Sequence, residues 1–128
     1  MAPRGPKILV VDDHAPTAQQ VAGLLGDEGY RTAIAHDAAA AWAVLESPRD
    51  PPAMMILDIR MPGESGLELL ARLPRPLPLP VVVLSGEASI ADTVTALKLG
   101  ATDFVEKPPS PERLLTAIRN ALALRALD

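Results

Sequence analysis

Three short apolar runs stand out along the chain: Ile8-Leu9-Val10-Val11, Ala53-Met54-Met55-Ile56-Leu57 and Val81-Val82-Val83-Leu84. Each is too short for a helix and lacks the polar alternation of a half-solvated strand. Each therefore predicts a strand buried on both faces, as in a parallel sheet covered by helices. Thr32–Ala35 and Thr102–Glu106 read as two further short strands. The segments between carry helical spacing and helical punctuation. Pro16 suits a first helical turn, with Val21, Leu24 and Leu25 following until Gly26 and Gly29 close the helix. Asp37 is an N-cap for an alanine-rich helix through about Glu46, with Trp42 and Leu45 on its inner face. Ser65-Gly66-Leu67-Glu68 spells a capping box before Leu69, Leu70 and Leu73. Ser89-Ile90-Ala91-Asp92 opens a fourth helix by the same logic, with Ile90, Val94 and Leu97 in one stripe and Gly100 at its end. Ser110-Pro111 opens the last, carrying Leu114, Leu115, Ile118 and Leu122. Five strands alternating with five helices predict an α/β fold built from right-handed crossovers.

Composition narrows the class. With 128 residues, 48% hydrophobic and 22% charged, the chain suits one globular domain with a real core, and at 2% aromatic that core is aliphatic. A net charge of -4 argues against a nucleic-acid surface, which needs clustered Lys and Arg. Without cysteine there are no disulfides or thiolate metal sites. No apolar run reaches a membrane span, and residues 1–6 lack the apolar core of a signal peptide, so a cytoplasmic protein is expected. The prolines, 14 in all, fall largely at element boundaries.

The predicted strands end on chemistry. The first ends on Asp12-Asp13, the third on Asp58, the fourth on Ser85 and the fifth on Lys107. In an open parallel sheet these ends share one edge, where ligands bind. Clustered carboxylates repel unless a cation compensates, and a hard ion such as magnesium needs only a few oxygen ligands besides water. With Lys107 as second cation, the edge would attract a phosphoryl group, and Asp58 could attack phosphorus to become an acyl phosphate. The plainer alternative for Asp58 is a cap on the following turn.

At these residues the chain resembles the receiver domain of bacterial two-component response regulators. The resemblance covers about residues 7–125 of what reads as a single domain, 1–128. It rests on Asp12-Asp13, Asp58-Ile59-Arg60-Met61-Pro62-Gly63, Leu84-Ser85-Gly86, Gly100-Ala101-Thr102-Asp103-Phe104 and Glu106-Lys107-Pro108. Each motif alone is weak; five in order are strong. The resemblance implies a flavodoxin-like sheet of order 2-1-3-4-5. It implies that Asp58 accepts phosphate from a sensor histidine kinase. Asp12, Asp13, Asp58 and the Arg60 carbonyl would hold Mg2+, and Lys107 and Ser85 would bind the phosphoryl group. Ser85 and Phe104 match the switch pair, and the Lys107–Pro108 bond is expected to be cis. The segment from Ser85 to Pro108 looks most like receivers of NtrC- and NtrX-type sigma-54 activators. The chain has no residues for their ATPase and DNA-binding domains, so an excised or stand-alone receiver is expected.

Pro109, directly after Pro108, departs from the large apolar residue common there in the family and reads as helix-entry punctuation. Arg60 and Glu87, each two residues beyond a site residue, are expected to pair, partly cover Asp58 and slow dephosphorylation. His14 reads as a solvated loop residue. Ala91, Thr95 and Lys98 are expected outward beside Phe104, making helix 4, strand 5 and helix 5 the output surface toward an effector domain or partner. Leu122, Leu124 and Leu127 exceed what one buried stripe needs, which points to pairing with a second copy. Haloacid-dehalogenase-type phosphatases want Asp where Arg60 stands, and a nucleotide- or flavin-binding domain wants a glycine-rich loop after Val11, where Asp12-Asp13 stands. The remaining alternative is a pseudo-receiver that only binds proteins.

Overall fold

The computed structural model describes residues 4–86 and 90–126. Its elements are β1 (Lys7–Val11), α1 (Ala15–Asp27), β2 (Arg31–Ala35), α2 (Ala38–Glu46), β3 (Met54–Leu57), α3 (Gly66–Arg72), β4 (Val81–Ser85), α4 (Ile90–Lys98), β5 (Asp103–Glu106) and α5 (Pro111–Ala126). The five strands form one parallel sheet in the order β2-β1-β3-β4-β5. This is the architecture that the motifs implied.

The unbroken apolar runs divide between two layers because successive strand side chains point to opposite faces. Leu9, Val11, Met55, Leu57, Val81 and Val83 pack with Ala38, Ala41, Leu69, Leu70 and Ala96, so α2, α3 and α4 cover one face. Ile8, Val10, Met54, Ile56, Val82 and Leu84 pack with Val21, Leu25, Leu114 and Ile118, so α1 and α5 cover the other.

Several helix ends follow the local sequence. Asp37 caps α2 through the Ala40 amide at 2.7 Å. Ser65 and Glu68 form the reciprocal capping box of α3, and Gly100, with φ +107, lets Ala101 N–H return to the Ala96 carbonyl at the end of α4. The α1 cap is His14, whose ring accepts from the Thr17 amide. At the far end of α3, Arg75 donates to the carbonyls of Leu70 and Leu73.

Ile90, Val94 and Leu97, expected in one stripe of α4, are 86%, 43% and 48% exposed, while Ala96 is fully buried. The helix docks through Ala96, a small residue that lets its backbone approach the sheet, and the larger stripe turns outward with Ala91, Thr95 and Lys98. Trp42 is only half-buried and carries the Arg72 guanidinium over its ring at 4.6 Å. Leu124 is 51% exposed, as the surplus of leucines suggested. The Ser89 cap, Glu87 and Leu127 lie outside the described residues. Among the described residues no helix is long and apolar enough to cross a membrane.

Candidate phosphoacceptor site

The sheet delivers the predicted residues to one edge. Past the end of β1, the Asp12 amide donates to the Ala35 carbonyl, and past β3 the Asp58 amide donates to the Val11 carbonyl. These bonds carry the parallel ladder one residue beyond the apolar runs. Each aspartate is thereby fixed where hydrophobic packing ends. The Lys107 amide donates to the Ser85 carbonyl, joining the ends of β4 and β5 in the same way. Among the described residues, Asp12, Asp58 and Ser85 are the buried polar ones, at 2%, 5% and 1% exposure.

Their side chains meet. Lys107 Nζ lies 2.7 Å from Asp12 Oδ2 and 3.3 Å from Asp58 Oδ2. Backbone amides supply further bonds, His14 N–H to Asp12 Oδ1 at 2.9 Å and Arg60 N–H to Asp58 Oδ1 at 3.2 Å. Asp13 is exposed at the rim, yet one carboxylate oxygen each from Asp12, Asp13 and Asp58 lie within 4.8 Å of one another. Asp58, Lys107, Ser85, Arg60, Asp13 and His14 are among the residues around a shallow cavity of about 340 Å³. The Ser85 hydroxyl is buried with no hydrogen-bond partner among the described residues. Phe104 is half-buried against the helix-covered layer of α2–α4. The Lys107–Pro108 bond is cis, as is Arg75–Pro76, for which the sequence reading had no expectation.

The electrostatics are those of an acidic cluster with too little counter-charge. Burial pushes the Asp58 carboxyl above its ordinary value, and nearby Asp12 adds to that; Lys107 and the Arg60 amide pull the other way and lose. Burial alone would lower the Lys107 ammonium, but its hydrogen bond to Asp12 and the fields of Asp58 and Asp12 hold it above the usual lysine value. One ammonium among three carboxylates leaves room for a second cation. The donors are all carboxylate oxygens within 4.8 Å of one another, the hard ligand type that magnesium prefers. They fit magnesium rather than a soft metal.

The structure also shows contributors that the motifs did not announce. Gly66 opens α3 against the acceptor strand: a β-carbon there would stand 2.1 Å from the Asp58 carbonyl oxygen. His36, at the end of β2, donates from its ring to the Asp12 carbonyl at 3.0 Å. Asp92, in the first turn of α4, pairs with Arg60 at 3.3 Å. The glycine after a capping Ser was a legible hint of close approach. The other two contacts join residues more than twenty apart and had no local signal.

Known proteins resemble this chain in sequence and fold. The response regulator receiver domain matches residues 8–119. The chain is 43% identical over 118 residues to the nitrogen assimilation regulatory protein NtrX of Azorhizobium caulinodans, covering 90% of this chain and 26% of that protein. It is 35% identical to the transcriptional regulatory protein CpxR of Klebsiella pneumoniae, covering 91% of this chain and 49% of CpxR. The chain thus spans from a quarter to about half the length of these relatives. Among solved structures, the receiver domain of NtrX from Brucella abortus superposes with TM-score 0.82 at 42% identity, covering 91% of this chain and 98% of that one. A CheY-like receiver from Methanospirillum hungatei gives TM-score 0.87 at 29% identity, covering 96% and 98%. With the family matched across nearly the whole length and the strand order and acidic edge in place, this chain belongs to the response regulator receiver family and is similar to the receivers of NtrX proteins.

Proposed function

We propose that this domain is a phosphorylation switch with Asp58 as acceptor. A carboxylate oxygen of Asp58 forms a bond to phosphorus while the bond from phosphorus to the histidine nitrogen of a sensor kinase breaks, its electron pair returning to the imidazole. Asp12, Asp13, Asp58 and the Arg60 carbonyl would hold Mg2+, which would neutralise charge on the phosphoryl oxygens in flight. Lys107 then leaves its shared position between Asp12 and Asp58 to pair with the phosphoryl group. The observation that carries this reading is the Ser85 hydroxyl, buried and unpartnered at a cavity it shares with Asp58 and Lys107. A buried donor without a partner is costly, and a phosphoryl oxygen on Asp58 would satisfy it. Phe104 then follows Ser85 inward, altering the surface of α4, β5 and α5. The exposed stripe of Ile90, Val94 and Leu97 supports that surface as the output face toward an effector domain, a partner or a second copy.

An apolar groove of about 420 Å³ between α1 and α5, lined by residues including Val21, Leu24, Pro108, Pro109 and Leu114, adjoins Lys107 and supports docking of the kinase there. Pro109 thus forms part of that wall as well as preceding α5. Similarity to NtrX and CpxR supports a transcriptional output in the cytoplasm, with DNA contacts made outside this acidic domain. Apart from its own phosphorylation and dephosphorylation, the domain is not a conventional enzyme. Arg60 and Glu87 are proposed to tune the phosphoryl lifetime, tested by Arg60→Ala and Glu87→Ala.

Incubation with Mg2+ and acetyl phosphate or phosphoramidate, read by intact mass, tests the acceptor. One added phosphoryl group on the wild type and none on Asp58→Asn is the expected result. An adduct that survives the substitution would assign a different acceptor, and none at all would favour the protein-binding pseudo-receiver.

A further inference from the structure

Arg60 lines the acceptor cavity together with Lys107, and its guanidinium pairs with an acid on another element. Its Nη2 lies 3.3 Å from Asp92 Oδ2, across 32 residues of sequence. Arg60 is also bound to Asp58 through its backbone amide, so its side chain originates two residues from the acceptor and lines the same cavity. Asp92 sits in the first turn of α4, next to the exposed apolar stripe that begins at Ile90. The pair therefore bridges the acceptor loop and the start of the helix whose outer face is the proposed output.

We propose that Asp92 is a positioning residue for the acceptor site: it competes with the phosphoryl group on Asp58 for the Arg60 guanidinium. Unphosphorylated Asp58 has Lys107 as its ammonium partner, and Arg60 rests on Asp92. Phosphorylation places a dianion in the cavity and increases the pull on the guanidinium. As Arg60 turns inward, the tie to the first turn of α4 weakens. Because the coupling is reciprocal, Asp92 must disfavour the phosphorylated state by the same factor by which phosphorylation weakens the Arg60–Asp92 pair. The inference rests on the acceptor reading and adds to it a link from Asp58 to α4 that bypasses Ser85 and Phe104.

The pair is largely exposed on the Arg60 side, 58% against 24% for Asp92, so the effect is that of a surface ion pair. Asp92→Asn should lengthen the phosphoprotein's lifetime about two- to fivefold, by removing the Asp92 charge that competes with the acyl phosphate for Arg60. Asp92→Glu, which keeps the charge, should restore a lifetime near that of the wild type. Asp92 also favours the helix N-terminus through its charge, and that purely structural contribution is independent of Arg60. The decisive comparison is therefore Asp92→Asn in the Arg60→Ala background, with lifetimes followed by intact mass after removal of acetyl phosphate. No further change there, beside a longer lifetime in the wild-type background, is the expected result. An equal change in both backgrounds, or none in either, overturns the competition while leaving Asp58 as acceptor. Absence of any adduct on the wild type overturns the acceptor reading and this inference with it.

Discussion

Asp58 sits where a carboxylate is least welcome, buried and beside Asp12, and its proton affinity is raised above the ordinary carboxyl value of 3.8. A raised value in the folded state means that folding favours the protonated form. The resulting cost to stability develops as pH rises from about 3.8 through the folded value and stays constant above it. Asp58→Asn should therefore stabilise the metal-free domain at pH 7 by roughly 1 kcal/mol, the lower end for removing buried ionic groups. Denaturant titration should show that gain disappearing below about pH 3.8, where wild-type Asp58 is also neutral. Gly66 makes the opposite kind of prediction. Its missing β-carbon leaves room for the Asp58 carbonyl, a backbone atom that cannot move aside as a flexible side chain does. Gly66→Ala should cost about 1–3 kcal/mol by overpacking, read by urea denaturation, and should slow phosphorylation by displacing the acceptor. At this scale the sequence was generous with acids and silent on support. Asp12, Asp13, Asp58, Ser85 and Lys107 were legible because each follows a strand, whereas the His36 and Asp92 contacts depend on which strands and helices become neighbours.

Among the elements, α3 shows local coding at its clearest. Ser65 Oγ accepts from the Glu68 amide at 3.2 Å, and Glu68 reaches back to the Ser65 amide at 3.3 Å. Ser65→Ala should cost about 1 kcal/mol, seen as a lower denaturation midpoint with unchanged m-value. The junction of β5 and α5 is coded less locally: Arg113 clamps both oxygens of Asp103 at 2.9 Å and also donates to the Phe104 carbonyl. The Arg113 hydrogen bond holds the Asp103 carboxyl below its ordinary value, a shift present above pH 3.8 and lost as pH falls through the lowered value. Because both side chains are substantially exposed, Arg113→Ala should cost no more than about 1 kcal/mol at pH 7. Comparing both proteins' melting across pH 2–7 would show that difference shrinking toward the acid end. In α4 the period was legible locally, and the docking face was not. Ile90, Val94 and Leu97 make the stronger stripe, yet Ala96 makes the closer approach to the sheet.

At the scale of the whole molecule, the acidic edge ties stability to metal. A cation that binds only the folded arrangement of Asp12, Asp13 and Asp58 should raise the melting temperature, and above its dissociation constant the stabilisation should grow with the logarithm of its concentration. At one hundred times its dissociation constant, Mg2+ should contribute about 2.7 kcal/mol, reversed by a chelator. Asp13→Asn, at an exposed position outside the core, should shrink that shift; no magnesium-dependent shift in the wild type would refute the metal reading.

Local sequence was enough for the class of fold and for the residues gathered at the acidic edge. Apolar runs of strand length, proline and serine at helix starts and five strand-end motifs are local signals, and each was decided by a handful of neighbouring residues. Only the tertiary structure decided that Lys107 stands between Asp12 and Asp58, that Ser85 is left without a partner, that α4 shows its larger apolar residues to solvent and that Arg60 reaches Asp92. Those outcomes depend on how closely layers pack and which charges are brought within a few ångströms, and no short window of sequence contains that information.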